Sequence, residues 1–495
     1  MDAFSTSYLF GDQTQVLNDV SVAIRDGTIA RIEPSSAHSS YRRLTIPALI
    51  NAHDHARPRL SSFGAIGMPL ETWILRSAFA TPPDPYLVAA SSIARSARAG
   101  CGGMMIHYTR PSGGMTLVDE AKAIARAAND VGMRIGFALA VRDQNPLVYG
   151  DSEGLLAELP PDAAAVLRET FVRPAVSPKQ AIALTEEIAA AIQGPTVDVQ
   201  FGPAGVQWCS RPLLEAIAEA SALTERCIHM HLLETPYQRR WADQEFPGGM
   251  VEYLRDIGLL SSRLTVAHCV HATQAELEII AASGTRIVTN FSSNLHLGSG
   301  IAPISQAHRC GCPVCVGVDG LALDEDDDIL REMRLVQLAH RGEGFQANWT
   351  ASEFLCMAVR NGRAAIGAPG DGRLKPGAPA DFTILDYDAL DRDSIVSANP
   401  INLLFSRGNS SVVRDVIVAG RTIVKDGVVT GVDLAAVENE LKGYYKANLS
   451  RYGGLQQSWD TIEIEIARWF TGFQKSKARR EQDCNGSAKT ICPAN

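Results

Sequence analysis

The sequence predicts an α/β protein: a (β/α)8 barrel with a small β-sandwich built from both ends of the chain. Three observations predict it. Between residues 46 and 366, eight short apolar runs alternate with helical patterns. Each run is continuous and rich in Val, Ile, Met or Phe, as strands buried on both faces must be. The flanks, residues 1–45 and 373–430, carry further β-like runs, too few on either side to close a sheet alone.

The eight runs are Thr45–Ala52, Gly103–Tyr108, Arg134–Val141, Val197–Gly202, Arg226–Leu232, Leu264–Cys269, Arg286–Phe291 and Pro313–Val318. Helices fill the gaps. Ser177-Pro178 opens one with proline at its first position, and Gly194 stops it. Thr273-Gln-Ala-Glu276 is a capping box, and Gly284 ends that helix. Eight such units in roughly 320 residues suit a barrel with insertions, spanning residues 46–372.

In the N-terminal flank, Val16–Ile24 and Thr28–Ile32 are joined by the turn Arg25-Asp26-Gly27. The C-terminal flank offers Asp381–Leu385, Val412–Val418 and Thr422–Val424, broken by Lys375-Pro-Gly377 and Asp426-Gly427. Residues 431–474 read as a helical extension, with Trp459, Ile462, Ile466 and Phe470 at helical spacing. Residues 475–495 read as a polar, disordered tail.

Composition narrows the partners. The 495 residues carry a formal net charge of -9, which argues against nucleic acid or an anionic membrane. The start of the chain lacks the basic flank and apolar run of a secretory signal, and no run is long enough to cross a bilayer. A cytoplasmic protein is expected. The ten cysteines sit mostly in apolar runs, as at Cys101, Cys227 and Cys269, and read as reduced core thiols. Cys310, Cys312 and Cys315 lack a fourth soft ligand at close spacing, so they are not read as a zinc knuckle. Cys484 and Cys492 are expected free and exposed in the tail.

The chemistry gathers at the strand ends. His53 and His55 lie just past the first run and, two apart, share a face. His231 ends the fifth run, His268 the sixth and Asp319 the eighth. In such a barrel these C-terminal ends converge on one site. Imidazole and carboxylate together are the ligands of a hydrolytic divalent metal such as zinc. Glu234, three residues past His231, is placed to carry protons beside that centre. His229 shares the His231 face one layer deeper and reads as a packed or supporting histidine. The acidic run Asp324–Asp328 reads as a solvated helix N-terminus rather than a cation site. For substrate contacts the candidates are Trp73 as an aromatic wall, with His107, Arg142, Gln207 and Asn294 at loop starts. Gln and Asn suit the edges of a heterocycle, whereas Arg57 and Arg142 suit a carboxylate or phosphate.

These stretches carry a resemblance. Ile46-Pro-Ala-Leu-Ile-Asn-Ala-His53-Asp-His55 resembles the first-strand signature of the amidohydrolase superfamily. Met230-His231-Leu-Leu-Glu234-Thr235 is similar to the fifth-strand motif of its cytosine-deaminase-like branch, which also holds triazine chlorohydrolases. Ala267-His268-Cys-Val-His271, Ser292–Pro303, Gly317-Val-Asp319-Gly and Leu374–Asp381 resemble the later motifs. The resemblance implies that His53, His55, His231 and Asp319 bind one metal, zinc first and iron second. It implies that Glu234 shuttles protons, and that His268 and Asp319 orient the attacking water. Binuclear members carry a carboxylated lysine on the fourth strand; Val197–Gly202 has none, which favours a single metal. His296 stands where many relatives have lysine.

The expected activity is hydrolytic deamination of an amino-substituted N-heterocycle at a C=N carbon, with release of ammonia. Alternatives on the same site are cyclic-amide hydrolysis, triazine-type displacement of chloride or alkylamine, and, from another class, an inactive barrel scaffold. The expected partner is a small heterocycle, and relatives suggest a homodimer or larger assembly.

Overall fold

The computed structural model describes residues 2–11, 15–36, 42–82, 84–347 and 349–487. From the N-terminus, β1 (Asp2–Leu9), β2 (Leu17–Arg25), β3 (Thr28–Pro34) and β4 (Arg43–Pro47) enter one sheet. Then β5 (Leu49–Asn51), β6 (Cys101–Tyr108), β7 (Arg134–Val141), β8 (Val197–Pro203), β9 (Ile228–Leu232), β10 (Leu264–His268), β11 (Arg286–Thr289) and β12 (Val314–Val316) follow in parallel order. A two-residue hairpin, β13 (Gly342–Glu343) and β14 (Gln346–Ala347), comes next. Last, β15 (Phe382–Asp386), β16 (Val413–Val418), β17 (Arg421–Lys425) and β18 (Val428–Val429) return to the first sheet.

Strands β5 to β12 are the barrel. Their ends meet where the Ala52 N–H donates to the Val316 carbonyl at 2.9 Å. The run read as one first strand, Thr45–Ala52, is two. Thr45 and Ile46 pair with Ile384 and Thr383 of β15, whereas Leu49 pairs with Cys101 of β6. The change of partner falls at Pro47, which has no N–H to continue a ladder. Between the strands the expected caps are present. Ser177 and Gln180 form a capping box on the helix Pro178–Ile192, and Thr273 and Glu276 form another on Gln274–Ser283. Gly284 closes the latter helix with φ 72°.

The terminal strands form one eight-stranded sheet in the order β18-β17-β16-β15-β4-β1-β2-β3. It curls over on itself. Phe4 stacks on Phe382 at 4.9 Å, and the Ile29 N–H reaches the Ala378 carbonyl at 2.9 Å. Leu9, Val22, Ile29 and Phe382 fill the fold of the curl. Gly27, with φ 73°, closes the β2–β3 turn so near β16–β17 that a Cβ there would lie 2.8 Å from the Ala419 carbonyl. Sheet and barrel are tied by Asp381, whose carboxylate meets Arg134 of β7 at 3.1 Å and Arg363 at 2.9 Å. Burial alone would raise that carboxyl's pKa, but the two guanidinium charges outweigh it and lower it.

The acidic run stands at a helix N-terminus, as read, but is solvated only in part: Asp324 is exposed, whereas Glu325, Asp327 and Asp328 are buried. Asp327 is fully buried against Arg95 at 2.8 Å. Glu325 accepts the backbone N–H groups of Leu60 and Ser61, and Asp328 caps the helix Ile329–His340 and accepts from Ser410 N. Its carboxylates bind the loop after β5 to the rest of the barrel. The partners lie 80 to 270 residues away in sequence, so local pattern could not reveal them.

Two C-terminal helices, Leu434–Ala447 and Gly453–Ser487, follow β18. Trp459, Ile462, Ile466 and Phe470 are buried against Phe79, Tyr149, Leu155 and Leu167. Full burial of each such side chain contributes about 1.5–3 kcal/mol. The Tyr445 hydroxyl donates to the Ala80 carbonyl at 3.0 Å, so the extension also braces the loop that follows β5. The last helix runs to Ser487, past the start of the tail expected to be disordered. Ala, Arg, Glu and Gln favour a helix there, and no proline interrupts it. The Cys484 side chain and residues 488–495 lie outside the described residues. Among the described residues no helix is long and apolar enough to cross a membrane.

Candidate metal centre

The first candidate ligands are set by a turn. His53 and His55 follow β5, and Asp54 between them accepts four hydrogen bonds. Its Oδ1 takes the N–H groups of His55 and Ala56 at 2.6 and 2.9 Å. Its Oδ2 takes Asn51 Nδ2 and Gly320 N at 2.9 and 3.1 Å. Asp54 thus clamps the loop after β5 to the loop after β12, and Asp319 N donates to His53 O at 3.0 Å beside it.

Strand ends then turn sharply. Ala56, Leu233, His268, Cys269 and Asp319 all have left-handed backbone, with φ 48°, 50°, 75°, 50° and 54°. Each such non-glycine residue costs roughly 1–2 kcal/mol. They bring His268, Asp319 and Glu234 inward from three different strand ends.

The ring nitrogens can be assigned from their partners. His55 Nδ1 lies 2.6 Å from the His107 carbonyl, and His231 Nδ1 lies 2.7 Å from the Ala204 carbonyl. A carbonyl only accepts, so both Nδ1 atoms carry the proton and both Nε2 atoms present lone pairs. Those two Nε2 atoms lie 3.4 Å apart. Asp319 Oδ1 lies 2.9 Å from His55 Nε2 and 3.5 Å from His53 Nε2, and the latter nitrogen is buried with no hydrogen-bond partner. Three lone-pair nitrogens and a carboxylate oxygen facing one point repel one another unless a cation sits among them. The donor set fits zinc.

Protonation agrees. Burial holds the His53 and His231 imidazoles well below their ordinary pKa, in the neutral state that ligates. Burial would raise the Asp319 carboxyl, but the Arg57 charge leads the effects that lower it well below the usual range. Arg57 Nη2 donates to Asp319 Oδ1 at 3.1 Å, and its guanidinium lies 4.6 Å over the Trp73 ring. Arg57 is therefore occupied, not a free anion binder.

His229 stands behind the site. Its Nε2 is 2.7 Å from His53 Nδ1, and the two rings are stacked 5.0 Å apart. It orients His53 rather than joining it at the centre.

Glu234 is 2 % exposed, with its Oε2 3.7 Å from His268 Nε2. Burial, with the nearby charges of Asp319 and Glu71, pushes its pKa well above the ordinary carboxylate value. His268 Nδ1 is 2.9 Å from Asn294 Oδ1, so that nitrogen donates and Nε2 presents a lone pair toward Glu234. Behind them, Glu71 Oε1 accepts from Thr235 Oγ1 at 2.6 Å and Tyr149 OH at 3.0 Å, while Gln238 Oε1 accepts from Glu234 N.

A cavity of about 140 Å³ opens above the centre, reaching His55, His231, Glu234, His268 and Asp319. Trp73 and Arg142 line it, as does Trp208. His107, Gln207 and Asn294 do not. His107 is wholly buried beneath the ligands and serves His55 through its carbonyl. Gln207 is buried under the turn at Gly205, and Asn294 is taken up by His268. The sequence reading gave no role to Asp54, Glu71, Thr235, Arg110 or Trp208. Thr235 alone had a local signal, since Thr-Pro before a helical pattern marks an N-cap.

The profile of the amidohydrolase family matches residues 44–423. The 5-methylthioadenosine/S-adenosylhomocysteine deaminase of Nitratidesulfovibrio vulgaris (strain Miyazaki F) is 28% identical over 454 residues, covering 88% of this chain and 95% of the relative. The 8-oxoguanine deaminase of Pseudomonas aeruginosa is 27% identical over 409 residues, covering 81% and 87%. Among solved structures, a zinc-bound adenosine deaminase from Xanthomonas campestris superposes with TM-score 0.75 at 21% identity, covering 91% of this chain and 98% of that one. The zinc complex of atrazine chlorohydrolase from Arthrobacter aurescens gives 0.74 at 23%, covering 90% and 100%. At these identities the structural likeness speaks to the fold.

Proposed function

Because the chain belongs to the amidohydrolase family, we propose that it is a metal-dependent aminohydrolase that removes the amino group of an N-heterocycle as ammonia. His53, His55, His231 and Asp319 hold one divalent metal on this reading, with zinc favoured by the nitrogen-rich donor set. When bound, such a metal supplies a water of lowered pKa as the nucleophile.

One observation carries the reading: a buried Glu234, its pKa pushed well above the ordinary carboxylate value, sits 3.7 Å from a lone-pair nitrogen of His268, over the proposed ligands. Glu234 donates its proton to the ring nitrogen, which makes the adjacent carbon electrophilic. His268, held by Asn294, accepts a proton as the water oxygen adds to that carbon. Protons then return through Glu234 to the exocyclic nitrogen. The C–N bond breaks, a carbonyl forms, and ammonia leaves. The relatives' names put amino-purines first among the rings to try, with neither nucleic acid nor membrane as partner.

The test is Glu234→Gln, with ammonia release measured across amino-substituted purines, pyrimidines, triazines and pterins. The variant is expected to keep its metal content and lose roughly 10²–10⁴-fold in kcat. Turnover near that of the wild type would overturn the assignment.

A further inference from the structure

The cavity above the metal centre is short of negative charge. Among the described residues its lining carries two carboxylates, Asp319, committed to the imidazoles and Arg57, and Glu234, which faces His268 at 3.7 Å. Against these the lining carries three arginines, Arg57, Arg110 and Arg142. They follow three adjacent strands, β5, β6 and β7, so they share one side of the barrel mouth. Glu234 and His268 come from β9 and β10 across it.

Among the described residues, two of the three arginines have no acid partner. Arg110 Nη2 donates to Ile74 O at 3.0 Å and Ser77 Oγ at 2.6 Å, which pins the group to the cavity wall without neutralising it. Burial and repulsion from Arg142 and Arg57 push its pKa down to about 10, so it remains a cation at neutral pH. Arg142, the first residue beyond β7, is exposed to the cavity and makes no hydrogen bond or ion pair among the described residues. Clustered, uncompensated guanidinium groups repel one another and cost stability unless an anion joins them. A neutral nucleoside would leave both unpaired, and its hydroxyls would find no free carboxylate in this lining.

Resting on the aminohydrolase reading above, we infer that the substrate is anionic: an amino-heterocycle bearing a carboxylate or phosphate, which Arg110 and Arg142 bind while its ring lies between them and Glu234. Guanidinium forks match both groups bidentately. Trp208 lines the cavity beside that space, and Trp73 forms part of the wall with its ring against Arg57.

The experiment uses zinc-loaded protein and matched pairs: adenosine with adenosine 5′-monophosphate, pterin with pterin-6-carboxylate, and cytosine with 5-carboxycytosine. The expected result is a kcat/KM at least tenfold higher for one anionic member over its neutral twin, read mainly in KM. Whether carboxylate or phosphate is preferred identifies the anion. Arg142→Gln and Arg110→Gln should each collapse that preference at least tenfold, with Arg142→Lys restoring part of it. In parallel, binding of each pair to Glu234→Gln is measured by calorimetry. If no ammonia forms but anionic members bind selectively and Arg142→Gln abolishes this, the deaminase reading fails and the anion site stands. Equal kcat/KM and equal binding within every pair, unchanged by the arginine variants, would overturn the inference.

Discussion

Asp54→Asn tests whether the metal ligands are held by the turn that carries them. The carboxylate accepts two N–H groups at each oxygen: His55 and Ala56 on one, Asn51 and Gly320 on the other. Asparagine keeps the shape but has a single oxygen. Whichever pair it serves, the other two donors face an NH2 group. Two hydrogen bonds to a charged group are lost, about 1.5–3 kcal/mol each, so the expected cost is about 3–6 kcal/mol. The loss frees either His55, itself a proposed ligand, or Gly320, the neighbour of Asp319, and metal affinity should fall roughly 10–100-fold. Thermal unfolding in excess zinc reads the first effect, and competition against a chromophoric chelator reads the second. Asp243→Asn is the control: that carboxylate is exposed, pairs with Arg239 on a helix surface, and should cost less than about 1 kcal/mol. If Asp54→Asn behaves like Asp243→Asn in both assays, the clamp does not hold the site.

Glu332 should impose a pH dependence on stability. Its buried carboxyl is pushed up to about 7 by desolvation, partly offset by hydrogen bonds from Ser292, against an unfolded value near 4.5. The folded state keeps this proton longer than the unfolded state, so wild-type stability falls as pH rises from about 4.5 through about 7, by on the order of 3 kcal/mol. Glu332→Gln should remove that slope, and its thermal midpoint relative to wild type should rise between pH 5 and pH 8; an unchanged difference would contradict the linkage. Ile462→Ala, at a fully buried position of the last helix, should cost about 2–5 kcal/mol. A cost below 1 kcal/mol in denaturant unfolding would mean that helix is not packed as described.

The barrel was legible because strands buried on both faces leave continuous apolar runs, and the gathered histidines because each stands at or just past the end of such a run, with His53 and His55 in one motif. The edge of legibility lies where pairing is remote. β1, Asp-Ala-Phe-Ser-Thr-Ser-Tyr-Leu, lies inside the terminal sheet yet sets three consecutive hydroxyl residues between its two aromatics, so it carries no apolar run. Arg95 and Asp327 are 232 residues apart, and nothing around either announces a buried ion pair. His107 was read at a strand end, where it lies, and Asn294 after the seventh strand, where it sits in the helix Phe291–His296, but neither faces the cavity. Sequence period gives a side chain's face, not whether another residue has already taken its hydrogen bond.

The left-handed residues at the strand ends carry a consequence for engineering. At Leu233, Cys269 and Asp319 a glycine would relieve backbone cost, since it visits positive φ freely. The side chains of Leu233 and Cys269 are buried in the core, however, so glycine there would open a cavity costing more than the turn relieves, and stability as well as turnover holds these residues in place. Libraries built on this scaffold should hold those codons fixed, or screen for turnover in the same round.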